Sequence, residues 1–273
     1  MATQEMFKEK NIIITGGSSG IGRCASEVFA LMGAHVTLVA RREDQLQQAV
    51  AEIRSKLSFS QKKIDYTVLD VSDNESVKTW SKTYWKEHGS PDVIINSAGI
   101  AASGYFEEMD MDVFHQQIAV NLYGTIHMCS AFIPMMKASG GYIVNIASVG
   151  GLHGVFGYSA YCSAKFSVVG FSQSLRSEMK RHNIHVSALC PPSVDTPMLK
   201  TIKHAPQETQ AVEASGGVLP PETVVKAMIQ GMQSKRFLIV PGMLVKIQYW
   251  LDRYFPRIIE WYLDWIVRNA QKP

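Results

Sequence analysis

The chain has 273 residues, of which 46% are hydrophobic and 19% charged, with a net charge of +3. That length suits one large domain, and the composition argues against disordered or collagen-like chains. So mild a charge, with no Lys/Arg run, gives no argument for nucleic acid as a partner.

Met1 to Lys10 is polar and charged, so neither a signal peptide nor an N-terminal membrane anchor is expected there. Cys24, Cys129, Cys162 and Cys190 have no CxxC or Cys/His metal spacing. They read as free thiols in a reducing, cytoplasmic compartment, and no metal is expected.

Asn11 to Thr15 reads as a short buried strand. Gly16-Gly-Ser-Ser-Gly20-Ile-Gly22 then turns it into a helix running to about Met32. Glycines in such a turn let the backbone approach a pyrophosphate, and the helix N-terminus offers amides and partial positive charge. His35 to Ala40 is the second strand and ends in Arg41-Arg42. An acid at that place holds a ribose 2′-hydroxyl, whereas arginine accommodates a 2′-phosphate, so NADPH is favoured over NADH. The competing reading is two solvated arginines opening the next helix.

Glu43 to Leu57 is amphipathic and helical, and Ile64 to Leu69 is the third strand, followed by Asp70-Val71. Asp73 to Glu87 is helical, Val93 to Asn96 is the fourth strand, and Met111 to Ala138 carries a long helical pattern containing Asn121. Tyr142 to Ala147 is a buried strand. Beyond it, Ser148 to Lys165 leads into a helix that reaches about His182.

On that helix Tyr161 and Lys165 stand four apart and share a face. A free tyrosine, with a pKa of ~10, is a poor acid-base catalyst near neutrality. An ammonium one turn away favours the phenolate; lowering the pKa by ~3 units needs ~4 kcal/mol of differential stabilisation. Ser148, at the strand end, is placed to fix a substrate oxygen against the Tyr161 hydroxyl. The set suits proton transfer to or from a carbonyl or alcohol oxygen.

Downstream, His185 to Leu189 is the sixth strand and Cys190-Pro-Pro-Ser-Val-Asp-Thr-Pro197 follows it. Met198 to Leu219 is polar and weakly periodic, in the position of a substrate lid. Pro221 to Gln233 is a helix, and Phe237 to Val240 a last strand. About seven strands alternating with helices imply an α/β, Rossmann-type, doubly wound parallel sheet with active residues at strand C-termini. Residues 1–241 form this domain, with the lid at about 198–219, and 242–273 form an amphipathic helical extension.

Ser148, Tyr161 and Lys165, with a Thr-Gly-x-x-x-Gly-x-Gly turn carrying Gly16, Gly20 and Gly22, resemble the short-chain dehydrogenases/reductases. The resemblance implies that Gly16, Ser18, Ser19, Gly20, Ile21 and Gly22 bind the cofactor. Asp70 would hydrogen-bond the adenine, with Val71 beside it, unless it is only an N-cap-like acid in its turn. Asn96-Ser-Ala-Gly99 resembles the family's NNAG turn, with serine in second place. Its Asn96, Ala98 and Gly99 would brace the sheet and approach the cofactor ribose.

In the family an asparagine matching Asn121 kinks its helix and holds a water that links the catalytic lysine to solvent. A tetrad of Asn121, Ser148, Tyr161 and Lys165 follows, with Tyr161 and Lys165 also on the cofactor. The family usually has Pro-Gly where this chain has Pro191-Pro192. Pro191, Val194 and Thr196 would lie near the nicotinamide. Dimers and tetramers are common in the family, so a homodimer or homotetramer is implied.

Within the family, Ala102-Ser-Gly-Tyr-Phe-Glu107, Val155-Phe-Gly-Tyr-Ser-Ala-Tyr161 and Pro191-Pro-Ser-Val-Asp-Thr-Pro197 resemble the 3-ketodihydrosphingosine reductases. The substrate implied is a long-chain lipophilic ketone, with a steroid, retinoid or 3-oxoacyl group as alternatives. A non-catalytic NADPH-binding scaffold is a further alternative.

Met243, Ile247, Leu251, Tyr254, Ile258, Tyr262 and Ile266 form a stripe at helical spacing, and Pro256 opens a second helix. Charged residues interrupt it too often for a span of ~20 apolar residues. The stripe fits packing on the subunit or a partner subunit, peripheral contact with the cytosolic face of a membrane, or the mouth of a pocket for a long chain.

Overall fold

Seven parallel strands run through the computed structural model, which describes residues 2–57 and 63–271. The last two residues of the expected extension, 272 and 273, lie outside the described residues. Helix α1 (Ala2–Phe7) precedes β1 (Asn11–Thr15), α2 (Gly20–Leu31), β2 (His35–Ala40), α3 (Glu43–Lys56) and β3 (Ile64–Val68). Next come α4 (Asn74–His88), β4 (Val93–Asn96), α5 (Met111–Ile118), α6 (Gly124–Met136), β5 (Gly141–Ile146), α7 (Ser159–Met179) and β6 (Ile184–Leu189).

Past β6 the chain forms β7 (Ser193–Val194), α8 (Gln207–Gly216), β8 (Val218–Leu219), α9 (Pro221–Gln233) and β9 (Leu238–Ile239). It ends in α10 (Met243–Tyr254) and α11 (Pro256–Ala270).

The central strands are short runs such as Ile12-Ile-Ile14, Val93-Ile-Ile95 and Tyr142-Ile-Val144, buried on both faces. Continuous apolar runs of this kind suit a parallel sheet covered by helices on each side. Phe29, Leu46, Ile53, Val224 and Met228 bring α2, α3 and α9 onto one face. Val77, Tyr84, Met128, Phe132 and Leu175 bring α4, α6 and α7 onto the other. The strand order β3-β2-β1-β4-β5-β6-β9 reverses direction between β1 and β4, opening a crevice at their C-terminal ends. The doubly wound parallel sheet is therefore as expected, with strand ends shifted by a residue or so.

Three local features refine the expectation. The long helix over Met111 to Ala138 is interrupted by a π-helical turn at Ala119–Tyr123, which contains Asn121. By length and composition Met111–Met136 could cross a membrane, but Met128, Phe132 and Met136 are wholly buried against the sheet. Second, the weakly periodic lid holds a regular helix, α8, whose buried residues are Glu208, Thr209 and Val212. Two of those three are polar, so no apolar stripe advertises the helix.

Third, the tail stripe is only in part the packed face. Of its members Ile266 is buried and Leu251 and Tyr262 are half-buried, whereas Met243, Ile247, Tyr254 and Ile258 are exposed; Val245 and Ile259, outside the stripe, are buried. Phe255, at φ −137° and ψ 57°, breaks the helix before Pro256 and resets its phase, so a stripe counted across the break changes face.

Candidate active site

The glycine turn is shaped by close approach. Gly16 adopts φ +66°, and a Cβ on Gly22 would come within 2.4 Å of the Gly16 carbonyl oxygen. A side chain at Gly22 would push α2 off β1. Ser19, the residue preceding α2, makes no side-chain capping bond. The first amides of α2 thus face the crevice without a capping side chain, as an anion site requires.

Thr15 fixes the opposite wall, since its hydroxyl accepts from the Ser97 and Ala98 amides, both at 3.0 Å. Asn96 sits behind that turn, donating to Asn145 Oδ1 at 2.8 Å. Asn145 in turn donates to the Ser172 hydroxyl at 2.9 Å, joining β4, β5 and α7.

Two clefts meet at Gly16, Ser19 and Gly99. One is lined by Ser18, Arg41, Arg42, Asp70, Val71 and Ala98. The other is lined by Gly20, Ile21, Ser148, Tyr161, Lys165, Pro191, Val194 and Thr196 among others. A trough of this form, with glycine backbone and an open helix N-terminus at its middle, fits an extended dinucleotide. Gly22, Asn96 and Asn121 stand behind the walls rather than in them.

Arg41 pairs loosely with Asp70 across the first cleft, at 3.5 Å. The other Asp70 oxygen accepts from the Ser72 amide and hydroxyl at 2.9 and 2.6 Å. Burial opposes the Asp70 charge, but the Ser72 bonds and Arg41 outweigh it and hold the carboxyl below its ordinary value.

At the reacting end, Ser148 precedes a tight turn over Val149–Gly151 and its Oγ accepts from the Gly150 amide at 3.1 Å. The Ser148 hydroxyl also hydrogen-bonds Tyr161. Lys165, only 4% exposed, donates to the Ile146 carbonyl at 2.8 Å, and its Nζ lies 5.6 Å from the centre of the Tyr161 ring.

Burial draws the Lys165 ammonium down to about 8. Burial also raises the Tyr161 phenol above its ordinary value, and the Ser148 bond only partly offsets this. That reverses the expectation that the ammonium lowers the phenol: in the chain alone, desolvation wins. Asn121 is wholly buried, accepting from the Ile100 amide and donating to the Ile100 carbonyl, both at 2.9 Å. It clamps the loop that follows Gly99.

Residues that the sequence did not single out complete the second cleft. Tyr158 stacks obliquely on Tyr161, with ring centres 5.6 Å apart. Glu213, from α8, lines the cleft and accepts a hydrogen bond from the Ser193 hydroxyl. A smaller, largely apolar pocket adjoins, sharing Val149, Val155, Pro192, Ser193 and Glu213. Its far wall is Val245, Ile259, Tyr262 and Leu263 of the tail. α11 lies against α8, and Gln271 donates to Glu208 at 2.9 Å.

The pattern of the short chain dehydrogenase family matches residues 10–207. The chain is 36% identical over 224 residues to the 3-ketodihydrosphingosine reductase of Bos taurus, covering 81% of this chain and 67% of that protein. It is also 36% identical over 196 residues to the 3-oxoacyl-acyl-carrier-protein reductase of Chlamydia muridarum, covering 71% and 78%. Among solved structures, a short-chain dehydrogenase/reductase from Burkholderia phymatum in complex with NAD is similar in fold. Its TM-score is 0.81 at 23% identity, over 92% of this chain and 95% of that one.

The chain belongs to the short-chain dehydrogenase family. It is accordingly an oxidoreductase that acts on a CH–OH or C=O group with a nicotinamide cofactor.

Proposed function

We propose that the protein is an NADPH-dependent reductase of the 3-keto group of 3-ketodihydrosphingosine, with sphinganine as product. The observation that carries this reading is the largely apolar pocket between catalytic cleft and tail, whose Val149, Val155, Val245, Ile259 and Leu263 side chains lie where a long alkyl chain would leave the site. The likeness to the Bos taurus reductase supports the same substrate. Arg41 and Arg42 on the first cleft support NADPH, since a guanidinium suits a 2′-phosphate.

When bound, the nicotinamide supplies the hydride. Ser148 orients the ketone oxygen, and Tyr161 gives it a proton. A phenol raised by burial holds its proton in the resting site, which suits a donor in the reductive direction. Lys165, beneath the ring, stabilises the phenolate left behind and holds the cofactor ribose. Asn121 keeps the Gly99–Ile100 loop and the proton path in place.

The exposed aromatic face of the tail, with Trp250, Tyr254, Trp261 and Trp265, suits peripheral contact with the cytosolic surface of a membrane. Val113, Tyr123 and Phe166, exposed on and between the Asn121 and Tyr161 helices, suit a homodimer or homotetramer. Light scattering on the purified protein reads the oligomer; a monomer would remove that assignment.

The test of the activity is NADPH consumption with 3-ketodihydrosphingosine in detergent, beside a steroid ketone and a short 3-oxoacyl thioester. Preference for the sphingoid ketone, with sphinganine identified as product, is the expected result. Preference for the thioester would favour the chemistry named for the Chlamydia muridarum relative. Tyr161→Phe should abolish turnover and leave NADPH binding nearly intact, and retained turnover would remove Tyr161 as the proton donor.

A further inference from the structure

The catalytic cleft has two charged side chains in its lining, Lys165 at the reacting end and Glu213 on the lid helix. Lys165 belongs to the chemistry proposed above. Glu213 has no part in it, yet it stands where the cleft opens into the chamber under the tail.

Its partners are hydroxyls: Ser193 donates to Oε2, and Tyr158 hydrogen-bonds the same carboxylate. Among the described residues, none of the ion pairs involves Glu213. A carboxylate half-withdrawn from water without a cation costs free energy that two neutral donors recover only in part. Burial accordingly raises the Glu213 carboxyl above its ordinary value.

The other lid acid, Glu208, is different. It ties Tyr105 and Gln271 to α8, a structural role that leaves the cleft untouched. A second structural tie between α8 and the catalytic approach already exists, since Thr209 donates to the Phe156 carbonyl at 3.1 Å. Gly157, at φ +75°, permits that contact: a Cβ there would come within 2.3 Å of Thr209 Oγ1. The lid is held without Glu213.

We propose that Glu213 is the recognition site for a substrate ammonium group, so that the cleft selects ketones bearing a primary amine next to the carbonyl. The residue lines the cleft that holds the Tyr161 and Ser148 hydroxyls, at the end from which the alkyl chain leaves. A 2-amino-3-ketone presents its oxygen to Tyr161, its ammonium to Glu213 and its chain to Val245, Ile259 and Leu263. The rings of Tyr158 and Tyr161 add π faces beside the cation. This rests on the reading of the substrate as a sphingoid ketone, and supplies the contact that sets it apart from a 3-oxoacyl thioester or a steroid.

The experiment compares kcat/KM for 3-ketodihydrosphingosine and for its analogue with a hydroxyl in place of the amine, in wild type and in Glu213→Gln. Wild type should prefer the amine by roughly 30-fold, the equivalent of about 2 kcal/mol for a desolvated charge pair. Glu213→Gln should erase that preference, mainly through KM, and Glu213→Asp should restore part of it.

A preference unchanged in Glu213→Gln overturns the role of Glu213 and leaves the substrate reading standing. Wild type that turns over other lipophilic ketones but neither sphingoid compound overturns the substrate reading, and Glu213's role with it. Should Glu213→Gln fail to fold, inhibition of wild type decides. A long-chain primary amine should inhibit at least about tenfold more tightly than the alcohol of equal length; equal inhibition overturns the proposal.

Discussion

Replacing Thr15 with valine keeps the shape of the side chain and removes one oxygen. That oxygen, on a residue 1% exposed, accepts from the Ser97 and Ala98 amides at 3.0 Å each. Both donors lose their partner at once. An unsatisfied donor costs ~1–3 kcal/mol, and partial access of water to the turn favours the low end, so we expect a loss of about 2–4 kcal/mol. For a chain of this size that lowers the thermal midpoint by roughly 4–7 °C.

The turn also forms the wall shared by the two clefts through Gly99, so NADPH should bind more weakly as well. Thermal unfolding followed by circular dichroism, with an NADPH fluorescence titration, measures both effects. Thr15→Ser keeps the acceptor and should recover most of each loss. A Thr15→Val midpoint within a degree of wild type, with unchanged NADPH affinity, would refute the assignment of that hydroxyl as the brace.

Two further perturbations follow from exposed groups. Arg41→Glu should reverse the preference from NADPH towards NADH by at least about tenfold, because it sets a like charge against a 2′-phosphate; steady-state kinetics with both cofactors reads this, and an unchanged ratio would assign selection to Arg42 alone. Replacing Trp250, Trp261 and Trp265 together with alanine should reduce co-sedimentation with phospholipid vesicles several-fold while the melting temperature holds, since all three side chains are exposed. Equal sedimentation would remove the tail face as a membrane contact.

The fold was legible because its signals are local and repeated. Apolar runs ending in glycine turns identify parallel strands, and one strand–turn–helix at the start identifies the crevice. Ser148, Tyr161 and Lys165 were legible because a strand end and one helical turn bring them together whatever the rest does. Glu213 was not. It lies on a helix with a partly polar buried face, and its meaning depends on a chamber wall built from residues 30 to 50 positions later.

The surroundings of Tyr161 were less legible. Sequence shows that a lysine is one turn away; it does not show that Lys165 is buried behind the cleft wall while Tyr161 is half-buried in it, so that desolvation acts on each group. Asn121 shows both sides of this. Its place in a helix was visible, but its clamp on Ile100 depends on a π-helical turn, and no apolar period marks such a turn.

Lys165 and Glu213 are both displaced towards neutrality in the chain alone, from opposite directions. Lys165 sits near 8 because burial disfavours its charge, and it lines the same cleft as Gly16 and Ser19, where an anionic dinucleotide fits. Bringing negative charge into that cleft favours the ammonium and raises the Lys165 pKa back towards its ordinary value.

A group whose pKa rises on binding takes up protons at any pH between its free and bound values. Formation of the NADPH complex should therefore absorb a net fraction of a proton at about pH 8.5, and Lys165 should contribute almost nothing at pH 6.5, where it is charged in both states. Calorimetric titrations in buffers of differing ionisation enthalpy measure this uptake directly. Lys165→Met should abolish it while still binding the cofactor. Proton release at pH 8.5, or an uptake that persists in Lys165→Met, would show that the lysine is not the group poised by burial, and the electrostatic account of the reacting end would fail with it.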